Sequence, residues 1–331
     1  MRRPVRPKYR RSQIEPYLTR IRVPIHERPD IGVEHLSPRK QLEILTLLTK
    51  CHLCNVPFEN LSLHYSWHRV IEIDPQVLYS KIIESSGRGG YCMENNTLFN
   101  TLLVTLGFDV YMAGSRVYQA NHAKYGGFDH CVNIVTIGEE QYLVDVGFGA
   151  NGPIQPLRMD PYSKEGRRHI GDRQVRLRFD TIPQGVNRRG KYWIYETSDT
   201  DSEWQPVYCF TDLEFLPEDI RIMNLAPSTL PTSMFRRNVI CARFTTINDF
   251  KVSYGNLEVL TRWDADDEDI NGMLILNGKT LKLRAEGRIV FETEFQNEHD
   301  RVKALSKYFD IRLSEADRHA IRGCGTEIAP N

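Results

Sequence analysis

No run of apolar residues in this 331-residue chain approaches the length needed to cross a bilayer, and the N-terminus has no apolar signal-peptide core. Excess charge is also missing. Forty-three Lys and Arg balance 43 Asp and Glu, so nothing in the overall balance points to nucleic acid or an acidic membrane as partner. Cysteines are few: seven, odd in number and scattered, unlike the dense framework of a secreted disulfide protein. Cys51-His52-Leu53-Cys54 lacks a second ligand pair at zinc spacing, and no metal is expected. The acidic loop Asp264 to Asp269 lacks the glycine and terminal glutamate of a calcium loop. Gly87-Arg88-Gly89-Gly90 is neither a phosphate loop nor a dinucleotide fingerprint. These absences point to a cytoplasmic protein whose thiols stay reduced.

The length favours two or three domains over one. The first eleven residues carry six Lys or Arg and two prolines, with no apolar face, and read as a frayed, solvated tail. Helical spacing follows over Gln41 to Lys50 and Pro75 to Ser85, and again from Cys92, where Leu98, Leu102, Leu103 and Leu106 share a face and Gly107 is a natural cap. From Phe108 the pattern changes to short β-branched and aromatic runs: Asp109 to Tyr118, Cys131 to Ile137, Gln141 to Val146, Gln174 to Phe179 and Tyr192 to Glu196. Strands at this spacing predict a small antiparallel barrel or sandwich. The arginine-rich stretch from Arg158 to Arg189 reads as a long solvated excursion. Further strands are expected over Val239 to Thr245, Leu257 to Arg262, Leu274 to Leu276, Thr280 to Arg284 and Arg288 to Glu292. Helices follow over His299 to Phe309 and from Ser314, with Asp317 placed for a capping contact.

The chemistry is concentrated in Arg88-Gly89-Gly90-Tyr91-Cys92, which runs straight into a helix and is followed by His130 and Asp145. A thiol at a helix start lies near unpaired N–H groups and the positive end of the dipole, which favours thiolate. A histidine to deprotonate it and an aspartate to orient the imidazole complete an activated nucleophile. Gly89 and Gly90 permit close backbone approach where a substrate carbonyl would need amide donors. Gly138-Glu139 suits a two-residue type II′ hairpin. Ile137 then faces Glu140, Val132 faces Asp145, and His130 becomes the diagonal neighbour of Asp145 on one face, about 7–8 Å away between Cβ atoms. Each residue also has an ordinary reading: a small buried cysteine, a satisfied histidine, a turn-proximal aspartate.

These residues resemble a known family. Arg88 to Asn96 (Arg-Gly-Gly-Tyr-Cys-Met-Glu-Asn-Asn) is similar to the nucleophile signature of the arylamine N-acetyltransferases. Pro57-Phe58-Glu59-Asn60-Leu61 resembles the family's upstream motif, and Val144-Asp145-Val146-Gly147-Phe148-Gly149 its aspartate-bearing strand end. Pro231-Thr232-Ser233-Met234-Phe235 matches a later segment more loosely. The resemblance implies an α+β fold: an N-terminal helical bundle with the nucleophile (1–107), a central antiparallel β-barrel with His and Asp (108–230), and a C-terminal α/β lid (231–331), with the triad arranged as in cysteine proteases. It implies ping-pong transfer of an acyl group from acetyl-CoA, or another short acyl-CoA such as malonyl, to an arylamine or arylhydrazine, as in xenobiotic metabolism. Carried across, Cys92 is the nucleophile, His130 the base and Asp145 the orienting acid. Phe58 and Phe148 line the acceptor pocket, while Gly126, Gly127, Thr232 and, by adjacency, Ser233 meet coenzyme A. Arg88 and Glu59 pair to fix the loop before Cys92. Ala150 departs from members that carry a basic residue there. A cysteine hydrolase or transglutaminase-like amidotransferase would use the same three residues, and a binding protein with an inactive fold is a further alternative.

Overall fold

Caps set where the helices begin. In the computed structural model, which describes residues 6–199, 203–260 and 269–329, α1 (Arg11–Arg20), α2 (Pro38–Asn55), α3 (Pro75–Ile82) and α4 (Cys92–Leu106) fill the first third. The side chains of Ser37 and Asp74 accept first-turn N–H groups of α2 and α3. Pro38 and Pro75 stand at the first helical position, where a missing N–H costs nothing. α4 stops at Gly107, whose φ of 104° is the left-handed cap.

The basic N-terminal stretch is not a frayed tail in its described part. Tyr9 is buried against Tyr17 and Tyr79, its N–H bonds to Thr105 Oγ1 at 2.9 Å, and Arg6 donates to the Val110 carbonyl. One large aromatic provides the anchor that the periodicity did not reveal. Residues 1–5 lie outside the described residues.

A curled antiparallel sheet follows, made of β2 (Asp109–Gln119), β3 (Lys124–Tyr125), β4 (His130–Ile137), β5 (Glu140–Val144), β6 (Leu157–Arg158), β7 (Arg167–Arg168), β8 (Gln174–Asp180), β9 (Tyr192–Ser198) and β10 (Gln205–Glu214). Its order is β6-β5-β4-β2-β10-β9-β8-β7, with β3 on β2. Among the described residues no ladder joins β6 to β7, so the expected barrel is here a curled sheet left open at that seam. Leu157, Val175, Leu177, Trp193, Tyr195 and Tyr208 close over its concave interior. In the β4–β5 hairpin Ile137 pairs with Glu140, and only Gly138 of the two loop residues has positive φ, as type II′ requires.

The stretch Arg158 to Arg189 is not the solvated excursion its composition predicts. Arg176 and Arg178 bond Glu196 at 2.8 and 3.0 Å, Arg176 stacks on Trp204, and the Gly171 turn abuts the backbone of Glu286. Arg158, Arg173, Arg176 and Arg178 are ion-paired, which composition alone does not show, while Arg167 and Arg168 are exposed.

The last third holds α5 (Pro217–Thr229), α6 (Met234–Arg237), β11 (Ile240–Thr245), β12 (Phe250–Ser253), β13 (Asn256–Val259), β14 (Gly272–Asn277), β15 (Thr280–Ala285), β16 (Arg288–Glu294), α7 (Glu298–Phe309) and α8 (Glu315–Ala320). Strand β10, helix α5 and strand β12 were not foreseen. The end of the strand expected over Leu257 to Arg262 lies outside the described residues, as does most of the acidic loop before Asp269. Helix α7 packs Ala304, Leu305 and Phe309 on Leu274, Leu276, Leu281 and Leu283 of the sheet. Ser314 and Asp317 exchange the expected capping bonds at α8. β1 (Phe58–Glu59), from the helical third, is an edge strand of this C-terminal sheet, pairing Phe58 with Ala242 and Glu59 with Cys241. No helix among the described residues is long and apolar enough to cross a membrane.

Candidate active site

Buried charges hold the loop that delivers Cys92. Glu59 is fully buried and accepts from Arg88 Nε at 2.9 Å and from the Leu61 N–H at 2.6 Å, the ion pair expected from sequence. Lys81 adds a partner that was not foreseen, 2.6 Å from Glu94 Oε1 and 3.8 Å from Glu59 Oε1. Burial alone would raise the Glu59 carboxyl, but Arg88 and Lys81 hold it below the usual range. Burial raises Glu94, with Lys81 opposing. Glu94 Oε2 also accepts the Tyr91 N–H at 3.1 Å, which fixes the entry to α4.

The glycines before Cys92 serve packing. A Cβ on Gly89 would lie 1.9 Å from the Pro57 carbonyl oxygen, and one on Gly90 would lie 2.5 Å from Glu94 Cβ. Their N–H groups already bond Glu59 Oε1 and the Pro57 carbonyl, both at 3.3 Å. They are therefore not spare amide donors for a substrate carbonyl, contrary to the sequence expectation.

Strand β4 and the turn after β5 bring up the other two residues. His130 Nε2 lies 2.8 Å from Asp145 Oδ2, as the hairpin count anticipated. Asn96, one turn along α4 from Cys92, donates to Asp145 Oδ1 at 2.9 Å and to the Cys131 carbonyl at 2.8 Å, and accepts the Val146 N–H at 3.1 Å. The Gly147 N–H gives Asp145 Oδ1 a further bond at 2.9 Å. Burial would raise Asp145, but the His130 charge and these donors hold it below the ordinary carboxylate range. Cys92 Sγ lies 3.8 Å from the Asp129 carbonyl, and a Cβ on Gly147 would sit 2.9 Å from Cys92 Cα. Helix start, strand start and turn converge on one point.

The thiol itself departs from expectation. Cys92 is only 3% exposed, and burial pushes its pKa up, with the Asp129 and Asp145 carboxylates adding to the rise and the Met93 N–H opposing it. A helix terminus contributes about 0.3–1 kcal/mol at an exposed site and up to about 2 kcal/mol when partly buried. That is less than the cost of burying an unpaired anion. A helix terminus alone therefore does not offset the burial of this sulfur.

Aromatic rings surround this point. Phe148 meets His130 edge-on at 5.1 Å and Tyr208 at 4.9 Å. Phe58, half-buried, packs with Phe128, Phe215 and Phe235 in the cluster that contains Cys92. The Phe235 segment is held by Asn60 Nδ2, 2.8 Å from the Phe235 carbonyl, and helix α5 by Asn224, which accepts from Tyr91 OH. The positions matched to coenzyme A differ in freedom. Gly127 is exposed, and a Cβ there would meet nothing within 4 Å, whereas the Gly126 N–H bonds the Val117 carbonyl at 2.8 Å. Thr232 is exposed, but the Ser233 hydroxyl is committed to capping α6 and to the Pro227 carbonyl. Sequence reading missed Phe128, Phe215, Asn133 and Asn224. For Asn96 the signal was its place one turn after Cys92 on the same face of the helix, within reach of the other two residues.

A family model described as N-acetyltransferase matches residues 41–267. N-malonyltransferase FDB2 of Gibberella moniliformis is 32% identical over 96% of this chain and 93% of its own length. The chain belongs to the arylamine N-acetyltransferase family. Among solved structures, the Salmonella typhimurium arylamine N-acetyltransferase superposes with a TM-score of 0.72 at 24% identity, covering 95% of this chain and 98% of that one. The Mycobacterium marinum enzyme in complex with CoA gives 0.70 at 24% identity, over 94% and 99%. The curled sheet and mixed α/β architecture are therefore those of this family, whose members are acyl-CoA-dependent N-acyltransferases.

Proposed function

We propose that this protein moves an acetyl or malonyl group from its coenzyme A thioester to an arylamine or arylhydrazine, through a thioester on Cys92. The observation that carries the reading is the bonded His130–Asp145 pair, with Cys92 Sγ at the start of α4 lying 3.8 Å from the carbonyl of the adjoining Asp129. His130 takes the proton of Cys92 as Sγ attacks the thioester carbonyl. The new S–C bond replaces the bond to coenzyme A, which leaves as its thiol with that proton. Exchange of one thioester for another is nearly balanced, so positioning matters more than driving force. The amine then attacks acyl-Cys92, giving an amide and the free thiol. Asp145 keeps the imidazole oriented throughout.

Phe58 and Phe148 form the aromatic wall suited to a neutral aryl amine. Gly126, Gly127 and Thr232 border the path of coenzyme A, with Gly127 the most open; Ser233 serves as a cap. In this reading the segments 1–107, 108–230 and 231–331 act as helical, sheet and lid domains. The work done is cytoplasmic detoxification of aromatic amines. The malonyl donor is supported by similarity to a protein named N-malonyltransferase, and the acetyl donor by the family.

The test is acylation by acetyl-CoA and by malonyl-CoA, followed by intact mass and by thiol release with one aniline. Cys92→Ala should carry no acyl adduct. An adduct of unchanged yield in that variant rejects the assignment of the nucleophile, and thiol release with water and no amide product favours a hydrolase.

A further inference from the structure

We infer that Arg116 selects the acyl donor by binding the free carboxylate of a malonyl-type thioester. This deepens the proposed function and rests on it. The register of β2 against β4 pairs Gly114 with Cys131 and Ser115 with His130. By the two-residue period, Arg116 shares a face with Gly114 and Cys131, the face turned toward α4, where Cys131 Sγ lies 3.7 Å from the Cys92 carbonyl.

The guanidinium of Arg116 lies 3.8 Å from the centroid of Phe128. Phe128 pairs with Phe215 at 5.2 Å, and both belong to the shell around Cys92. This ring contact brings a permanent cation to the aromatic shell around Cys92. Gly114 makes the approach possible, because a Cβ there would lie 2.4 Å from Phe215 and 3.0 Å from Phe128.

One edge of this guanidinium is unused. Nη1 donates to the Gly126 carbonyl at 3.1 Å, while Nε is buried with no hydrogen-bond partner. A buried N–H left unpaired is costly, and the Nε–Nη2 edge is the fork that carboxylates take bidentately. Asp129 is the nearby acid, yet among the described residues it forms no ion pair with Arg116. Its Oδ1 accepts the Val117 N–H at 3.3 Å, and burial raises its pKa while the charge of Arg116 acts the other way. A malonyl group differs from acetyl only by a carboxylate on the methyl carbon, next to the thioester carbonyl. An arginine beside the shell around Cys92 is therefore better placed for that carboxylate than for phosphates at the far end of coenzyme A.

The experiment compares malonyl-CoA with acetyl-CoA in the full-length protein, Arg116→Met and Arg116→Lys. Single-turnover acylation of Cys92 is followed by intact mass, and kcat/KM is measured with one aniline. The malonyl-to-acetyl ratio should fall about ten- to a hundredfold in Arg116→Met, the scale of a lost hydrogen bond to a charged group. Arg116→Lys, which keeps the charge without the fork, should recover part of it. An equal fall with both donors overturns the inference and moves Arg116 to a shared coenzyme A contact or to support of the fold. A wild-type protein that transfers acetyl but not malonyl also overturns it, leaving the proposed function intact. Failure of the wild type to be acylated by either donor overturns the proposed function itself.

Discussion

Replacing Asn96 by alanine removes the side chain that ties α4 to Asp145. The amide donates to the Asp145 carboxylate and the Cys131 carbonyl, and it accepts from the Val146 N–H and from Asn133 Nδ2, at 2.8–3.3 Å. A hydrogen bond to a charged group is worth about 1.5–3 kcal/mol and a neutral one about 1 kcal/mol, so the loss of one of the first kind and three of the second should be roughly 4–6 kcal/mol. In a chain of this size that lowers Tm on the order of 10 °C. There is also a pH signature. Asn96 is among the groups holding the Asp145 pKa below its ordinary value, and removing it lets that pKa rise. An acid with a depressed folded pKa contributes stability above its unfolded pKa, and the contribution disappears as pH falls through the folded one. The variant should therefore keep a smaller contribution that is exhausted at higher pH than in the wild type, and the acid limb of its acylation rate should move up. Denaturant titration and single-turnover acylation over pH 3 to 7 measure both quantities. A stability change below about 1 kcal/mol with an unmoved acid limb would refute the assignment of Asn96 as the support of Asp145.

Gly147→Ala places a Cβ 2.7 Å from Asn96 Nδ2 and 2.8–2.9 Å from Cys92 backbone atoms, which cannot swing away. Thermal melts should show a loss of about 1–3 kcal/mol together with slowed acylation, and normal values of both would contradict the close approach. His52, wholly buried in the main core, is held at about 3 by burial, so it stays neutral while the unfolded chain takes up a proton below about 6.5. Stability should fall by about 1.4 kcal/mol per pH unit from this group between pH 6 and 4, and His52→Gln should flatten the slope of the denaturant midpoint against pH by that amount. An identical slope in the variant would show that His52 titrates freely.

Local signals settled much of the site. The run from Cys92 to Gly107 carries both ends of its helix in its own residues, and Gly138 sets the hairpin register that brings His130 to Asp145. Asp317 behind Ser314 was equally readable, because it depends on a short pattern, whereas the Glu59–Arg88 pair came only from the family resemblance. Where a residue's role depends on distant neighbours, the reading failed. Tyr9 looked like part of a charged tail because its partners lie on α1, α3 and α4. The arginines after Arg158 looked solvated because Glu196 and Trp204 lie on other segments of the chain.

The sequence by itself determined which residue types stand at helix starts, turns and strand faces, since capping, glycine conformation and side-chain alternation act over a few residues. Only the tertiary structure decided the burial of Cys92, the partners of Asn96 and the spare edge of Arg116. The physical reason is that desolvation and hydrogen-bond satisfaction are set by whatever surrounds a group, and those surroundings are assembled from segments far apart along the chain.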